Sequence, residues 1–359
     1  MLMKEILKRD RNLRSKMEEE GICAFLIADN INQLYLTNFI GASLLLVPNE
    51  GESVLYVPSV NYEDAKENAL NCKVTLLEGG RSFISVTAEF VKNSGIENLA
   101  FDRLEASQYR ILTSKLGDVS LVPKKEIISE MRAVKDEYEI ACMRRAAEIT
   151  KAGFEAAVEA VKPGVTEIEV AAEMEYAMRK EGSHGVAFDT IVASGKRSAF
   201  PHGGCRNKKI VKGDLVVLDF GVKFENYMSD ITRTLVVGNP TNKQREVYEV
   251  VRAAQEKAFK IMRSGIKGCD VDRVARKIIE EAGYGENFVH GLGHGVGLEI
   301  HEPPTLNQRN TDPLRNGNVV TDEPGVYIVN FGGVRIEDTV LIREDGAEKL
   351  TLSPYIFSV

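Results

Sequence analysis

GDLVVLDFGVKFENYMSDITRTLVVG, residues 213–238, holds two strand-like apolar runs, and each carries one aspartate where core is otherwise expected. These are Asp219 and Asp230. An unpaired carboxylate confined among aliphatic side chains costs several kcal/mol, so something positive is expected beside each. If the intervening VKFENY turns tightly at Phe224-Glu225, the two lie opposite one another on adjacent strands. Like charges at that separation repel, and a shared cation is the simplest remedy.

Downstream, FVHGLGHGVGLEIHEPP (288–304) gathers three of the five histidines: His290, His294 and His301. Its glycines lack the spacing and strand-turn-helix setting of a dinucleotide fingerprint, but small neighbours let the His294 imidazole approach a ligand closely. Two further carboxylates stand in apolar surroundings, Glu323 in VVTDEPGVY (319–327) and Glu337 in GVRIEDTVL (333–341). Each residue alone is more often a cap, a turn or a solvated face. Together, four acidic groups and one imidazole make a donor set for two cations of the Mn or Co type. Zinc is less favoured, since thiolate is absent, but it stays admitted. Two such cations about 3.5–4 Å apart activate water and polarise a carbonyl, which is hydrolytic chemistry.

The rest of the chain limits what could surround that site. At 359 residues it is long for one core, which predicts two domains. A net charge of -7 gives no electrostatic reason to expect nucleic acid or an anionic membrane as partner. The N-terminus MLMKEILKRDRNLR does not read as a secretory signal, and no later stretch approaches membrane-spanning length. Five scattered cysteines without CxxC spacing offer neither a disulfide framework nor a thiolate zinc site, so a reducing cytoplasm is expected.

Apolar spacing predicts a helix from Lys4 to Glu20, then short strands CAFLIAD, SLLLVP, SVLYVP, KVTLLE and NLAFD alternating with helical stretches. The second and third strands, joined through Asn49 to Glu52, read as a hairpin, so the sheet should be mixed. Residues 1–124 are therefore expected to form an α/β domain and residues 125–359 a second one. The latter runs helix pair, strands, helix pair, strands, a duplicated architecture without sequence repeat; Thr166 and Glu169 form an expected capping box.

At this point the chain resembles the creatinase and aminopeptidase P group of pita-bread metallopeptidases, which includes prolidase. The segments that carry the resemblance are PHGG (201–204), LDFGVKFENYMSDITRT, HGLGHGVGLEIHEPP, DEPGVY and GVRIEDTV, in the family's order and across the whole second domain. The resemblance implies an α+β pita-bread catalytic domain after the α/β domain with mixed sheet, and a homodimer. It implies Asp219 on one metal, His294 and Glu323 on the other, and Asp230 and Glu337 bridging. It makes Glu323 the proton acceptor and donor, lets His301 bind the tetrahedral intermediate or relay a proton, and places His202 and His290 against substrate. Arg335 would buttress the site and meet the substrate carboxylate.

The implied reaction is hydrolysis of the bond before proline, on peptides with proline in second position. Some prolidases carry an arginine directly after HEPP, where this chain has Thr305; the nearest are Arg309 and Arg315. That departure favours an Xaa-Pro aminopeptidase acting on longer peptides, with prolidase as the close alternative. A metal-free creatinase-like amidinohydrolase and a non-catalytic binding module are more distant ones, disfavoured because all five ligands are present. Asp322 precedes Glu323 where the family commonly shows an aliphatic residue; it either alters the neighbouring carboxylate or points outward along the strand.

Overall fold

The structure, a computed structural model, describes all 359 residues. They form two compact units, 1–132 and 133–359.

In the first unit α1 (Leu2–Glu19) buries Ile6, Leu13 and Met17 on one face. The strands are β1 (Ala24–Ile27), β2 (Leu44–Pro48), β3 (Val54–Val57), β4 (Lys73–Leu76), β5 (Asn98–Phe101) and β6 (Ser120–Pro123), in sheet order β4-β3-β2-β1-β5-β6. The sheet is mixed, as expected. The pairs β1–β2 and β2–β3 are antiparallel and the other three are parallel. Between the strands run α2 (Asn30–Thr37), α3 (Tyr62–Asn68), α4 (Phe83–Ser94) and α5 (Ala106–Leu116). α2 follows directly on β1 because the Asp29 side chain accepts from the N–H groups of Ile31 and Asn32, capping the helix start. α6 (Lys125–Ala133) belongs to this unit for nearly all its length.

The second unit opens with α7 (Glu137–Ala160) and α8 (Glu167–Lys180), each started by a capping box, Asp136 with Glu139 and Thr166 with Glu169. Both helices pack on an antiparallel sheet of β8 (Ile191–Ser194), β9 (Leu215–Phe220) and β12 (Ile231–Val236), ordered β12-β9-β8 and preceded in sequence by the short β7 (Gly185–Val186). Phe154, Met174, Leu218, Phe220 and Leu235 fill that core. Each such side chain contributes about 1.5–3 kcal/mol on burial.

The second half repeats the plan. α9 (Asn242–Ile261) and α10 (Gly268–Glu281) cover a five-stranded antiparallel sheet, β14-β13-β15-β18-β19. Its members are β13 (Gly293–Gly295), β14 (Glu302–Leu306), β15 (Val319–Asp322), β18 (Asp338–Ile342) and β19 (Ala347–Lys349). The hairpin β16 (Gly325–Ile328) and β17 (Gly332–Arg335) stands beside it. Val251, Ala258, Ile279, Val320 and Val340 form its core. A backbone bridge from Thr232 to Glu337 links the two halves. No helix of the protein is long and apolar enough to cross a membrane, and all five cysteines are free.

The decisive hairpin differs from expectation in detail. β10 (Val222–Phe224) and β11 (Tyr227–Met228) turn at Glu225 and Asn226, φ 49° and 68°, one residue later than Phe224-Glu225. Two successive left-handed residues match the twist of a two-residue hairpin turn. The cross-strand partner of Asp219 is consequently Thr232, and Asp230 is not directly opposite but two residues earlier on the same chain.

Candidate metal centre

Asp219 is the penultimate residue of β9, Asp230 immediately precedes β12, His294 is the middle residue of β13, Glu323 follows β15, and Glu337 lies between β17 and β18. Strand ends from both halves of the second unit thus converge. All five line one cavity of about 660 Å³, together with His202, His290, His301 and Arg335. Ligand atoms of Asp230, His294 and Glu337 lie within 4.8 Å of one another.

Burial makes this cluster costly without a cation. Asp230 and Glu337 are 4% and 2% exposed. Desolvation, and then the charge of neighbouring carboxylates, pushes both well above the usual carboxylate range. One oxygen each of Asp219, Asp230 and Glu337 is buried without any hydrogen-bond partner. Buried acceptors are nearly always paired, so three orphans on three adjacent acids are the signature of a site built around positive charge. The donor set fits divalent cations.

The other oxygens are held in place. Arg335 donates to Asp219 Oδ2, and Thr232 Oγ1 donates to Glu337 Oε2 at 2.6 Å. Glu323 Oε1 accepts from Thr321 Oγ1 at 3.0 Å and sits 3.2 Å from His294 Nε2. His294 Nδ1 faces Gly295 O at 3.1 Å, which puts a proton on Nδ1 and leaves Nε2 directed at Asp230 and Glu323. Burial opposes the imidazolium, yet the Glu323 hydrogen bond and the carboxylate charges lift His294 to about 9. Against the same desolvation, His294 draws Glu323 down to about 2.

Around the acids stand the candidate substrate groups. The His301 ring is 4.2 Å from that of His294 in an edge-on arrangement, and burial plus the His294 charge keep it neutral more readily than a free imidazole. His202 is exposed at the cavity wall. His290 Nδ1 donates to Gly291 O at 2.7 Å, so its Nε2 accepts from Tyr327 OH at 3.0 Å. Tyr327 OH in turn accepts from Arg335 at 2.8 Å. A continuous chain His290–Tyr327–Arg335–Asp219 results.

Sequence reasoning missed Tyr327, Thr232 and Thr321, although Tyr327 lay inside DEPGVY and both threonines alternate with ligands along their strands. Asp322 does not point outward to solvent. It is fully buried, neither carboxylate oxygen has a partner, and desolvation raises it well above the usual range. Burial thus favours the protonated form of this residue, the immediate chain neighbour of Glu323.

Comparisons with known proteins agree with this architecture. The sequence profile of Metallopeptidase family M24 matches residues 141–344, and that of the Creatinase/Prolidase N-terminal domain matches residues 9–134. An Xaa-Pro dipeptidase of Pyrococcus horikoshii is 44% identical over 338 residues, 93% of this chain and 94% of that protein. Among solved structures, an Xaa-Pro dipeptidase from Bacillus anthracis superposes with a TM-score of 0.93 at 38% identity, covering 99% of this chain and 100% of that one. An X-Pro aminopeptidase from Thermotoga maritima gives 0.88 at 42% identity, covering 96% and 100%.

Proposed function

The chain belongs to metallopeptidase family M24, and on that premise we propose that it is an Xaa-Pro dipeptidase using two divalent cations. The observation that carries this reading is the trio of unpaired buried oxygens on Asp219, Asp230 and Glu337 beside His294. Asp219, Asp230, His294, Glu323 and Glu337 hold the cations; manganese or cobalt suits their oxygen-rich set best, and zinc is admitted. When bound, such a pair lowers the pKa of water and polarises the carbonyl under attack.

The chain's own residues supply the remainder. Glu323 Oε1, oriented by Thr321, takes the proton of the attacking water and returns it to the proline nitrogen. His301 donates to the carbonyl oxygen as it gains charge. His290, fixed by Tyr327, and His202 contact substrate, while Arg335 holds Asp219 in place.

The dipeptidase reading takes precedence over the aminopeptidase one that Thr305 favours, because relatives named Xaa-Pro dipeptidase match along nearly the whole chain. The Thermotoga structure, named X-Pro aminopeptidase, keeps the longer-peptide reading as the second. The reading includes a cytoplasmic homodimer, checked by light scattering on the purified protein and by cell fractionation.

The test strips metal with a chelator, restores Mn, Co or Zn separately, and compares Xaa-Pro with Xaa-Pro-Yaa. Metal-dependent cleavage of the dipeptides is expected. Cleavage of the longer peptides alone establishes the aminopeptidase, and full activity after complete stripping overturns the metal-dependent mechanism.

A further inference from the structure

His202 stands in a stretch, residues 200–207, that belongs to no helix or strand. It nevertheless lines the cavity, and its charge is felt at His301. Its position is therefore set by whatever holds the neighbouring peptide groups. On one flank Arg335 Nη1 donates to Pro201 O at 3.4 Å. On the other, Arg197 Nη2 donates to Gly203 O at 2.7 Å and to Gly204 O at 3.0 Å. The loop also lies tightly against β8, since a Cβ on Gly203 would stand 3.2 Å from Phe200 O and 3.3 Å from Ala193 Cβ.

The Arg197 guanidinium works on two sides at once. Its Nε stands 3.3 and 3.4 Å from the two oxygens of Glu167, the first residue of α8 and fully buried. Glu167 is itself locked in place. Its Oε1 accepts from Ser194 N at 2.8 Å and Ser194 Oγ at 2.7 Å, and its Oε2 accepts from Arg206 N at 2.9 Å. One carboxylate thus ties the last residue of β8 to Arg206, on either side of the segment that bears His202. Neither Glu167 nor Arg197 lines the cavity.

Neutralising a buried Glu167 needs only a cation. Arg197 does more, because a planar guanidinium can meet a carboxylate with one edge and carbonyl oxygens with another. We infer that Arg197, seated by Glu167, is a positioning residue that fixes the His202 loop against the substrate. This rests on the Xaa-Pro reading above, in which His202 contacts the peptide. Both flanks of His202 are then tied, one to Glu167 and the other, through Arg335, to Asp219 of the metal centre.

The experiment is a double-mutant cycle on an Xaa-Pro dipeptide with manganese-loaded protein, using Arg197→Met, His202→Ala and both together, with Arg197→Lys beside them. Arg197→Met should lower kcat/KM about 10–100-fold, the cost of displacing a substrate group by about 1 Å, with metal content unchanged. On the His202→Ala background the same substitution should cost less than about twofold. Arg197→Lys keeps the counter-charge, so it should melt near wild type yet recover only part of the rate. Hydrogen exchange reads the loop without activity: the amides of residues 200–206 should exchange about tenfold faster in Arg197→Met, while those of β9 keep their protection. Losses that multiply in the double variant, wild-type activity in Arg197→Met or His202→Ala, or unchanged exchange overturn the assignment. Where Arg197→Met does not fold, the cycle and the exchange are run on Arg197→Lys with the same criteria. A wild type that cleaves no Xaa-Pro dipeptide sinks the Xaa-Pro reading instead, and the exchange measurement still decides what Arg197 holds.

Discussion

The Thr232 hydroxyl donates to Glu337 Oε2 at 2.6 Å, and the same two residues are joined along the backbone, Glu337 N donating to Thr232 O at 3.1 Å. Arg335 Nε donates to that hydroxyl at 3.1 Å, so Thr232 both receives and passes on a hydrogen bond. The carboxylate is thereby turned so that Oε2 is occupied and Oε1 remains free in the cluster. Thr232→Val keeps the branched shape and removes this orientation. Metal affinity should fall about 10–100-fold, the usual cost of losing a partner that orients a ligand. Calorimetric titration with manganese measures it, and an unchanged affinity would refute the role given to Thr232.

Relief of repulsion should make one ligand substitution stabilising in the metal-free protein. Asp230 is raised above its ordinary value of 3.8 by burial and then by the Asp219 charge. A carboxyl raised in the folded state contributes stability that is complete below its unfolded value and lost as pH rises through its folded value. Metal-free protein should therefore lose stability as pH climbs above about 4. Asp230→Asn should raise its Tm at neutral pH and flatten this dependence, while abolishing metal uptake. Thermal melts from pH 4 to 8 with chelator, compared with metal content by atomic absorption, decide the matter; a lower Tm in the variant contradicts it.

How far the sequence discloses this site depends on what each residue has to do. Asp219, Asp230, Glu323 and Glu337 are legible because charge in an apolar strand is locally anomalous, and burial is written in the neighbours. Tyr327 is not legible in that way, since a tyrosine in a strand is unremarkable until His290 and Arg335 are found at its hydroxyl. The one-residue displacement of the turn to Glu225-Asn226 was equally hidden, because neither residue carries the glycine that usually announces a left-handed turn. Helix periodicity revealed α7 and α8 at once. The short α2 depends instead on the single cap at Asp29.

Close packing also holds His294 and Glu323 in register. A Cβ on Gly293 would stand 2.1 Å from Thr321 O and 2.7 Å from Thr321 Oγ1. That hydroxyl accepts from His294 N and donates to Glu323 Oε1, both at 3.0 Å. Gly293→Ala must push Thr321 away and disturb both ligands together. Overpacking of this kind costs about 1–3 kcal/mol. Urea denaturation should show the loss, accompanied by weaker metal binding; a variant with native stability and affinity would mean that β13 and β15 separate freely.

Behind the site, Asp338 is the acid that needs no metal. It is fully buried, and Oδ1 accepts from Arg233 at 2.8 Å and Thr351 at 2.9 Å. Oδ2 accepts from Lys349 at 2.7 Å, Tyr355 at 2.6 Å and Gln255 at 2.9 Å. Burial works against its charge, yet the Arg233 guanidinium and the Lys349 ammonium hold it down at about 2. A depressed folded value contributes stability that is present above the ordinary carboxylate range and lost as pH falls through about 2. Asp338→Asn leaves Arg233 buried without its counter-charge, which should cost about 3–5 kcal/mol at neutral pH. The variant should also lose part of the acid sensitivity of the wild type, because the group that titrates is gone. Denaturant titrations at pH 7 and pH 3 measure both effects, and equal destabilisation at the two values would show that charge at Asp338 is not what holds Arg233.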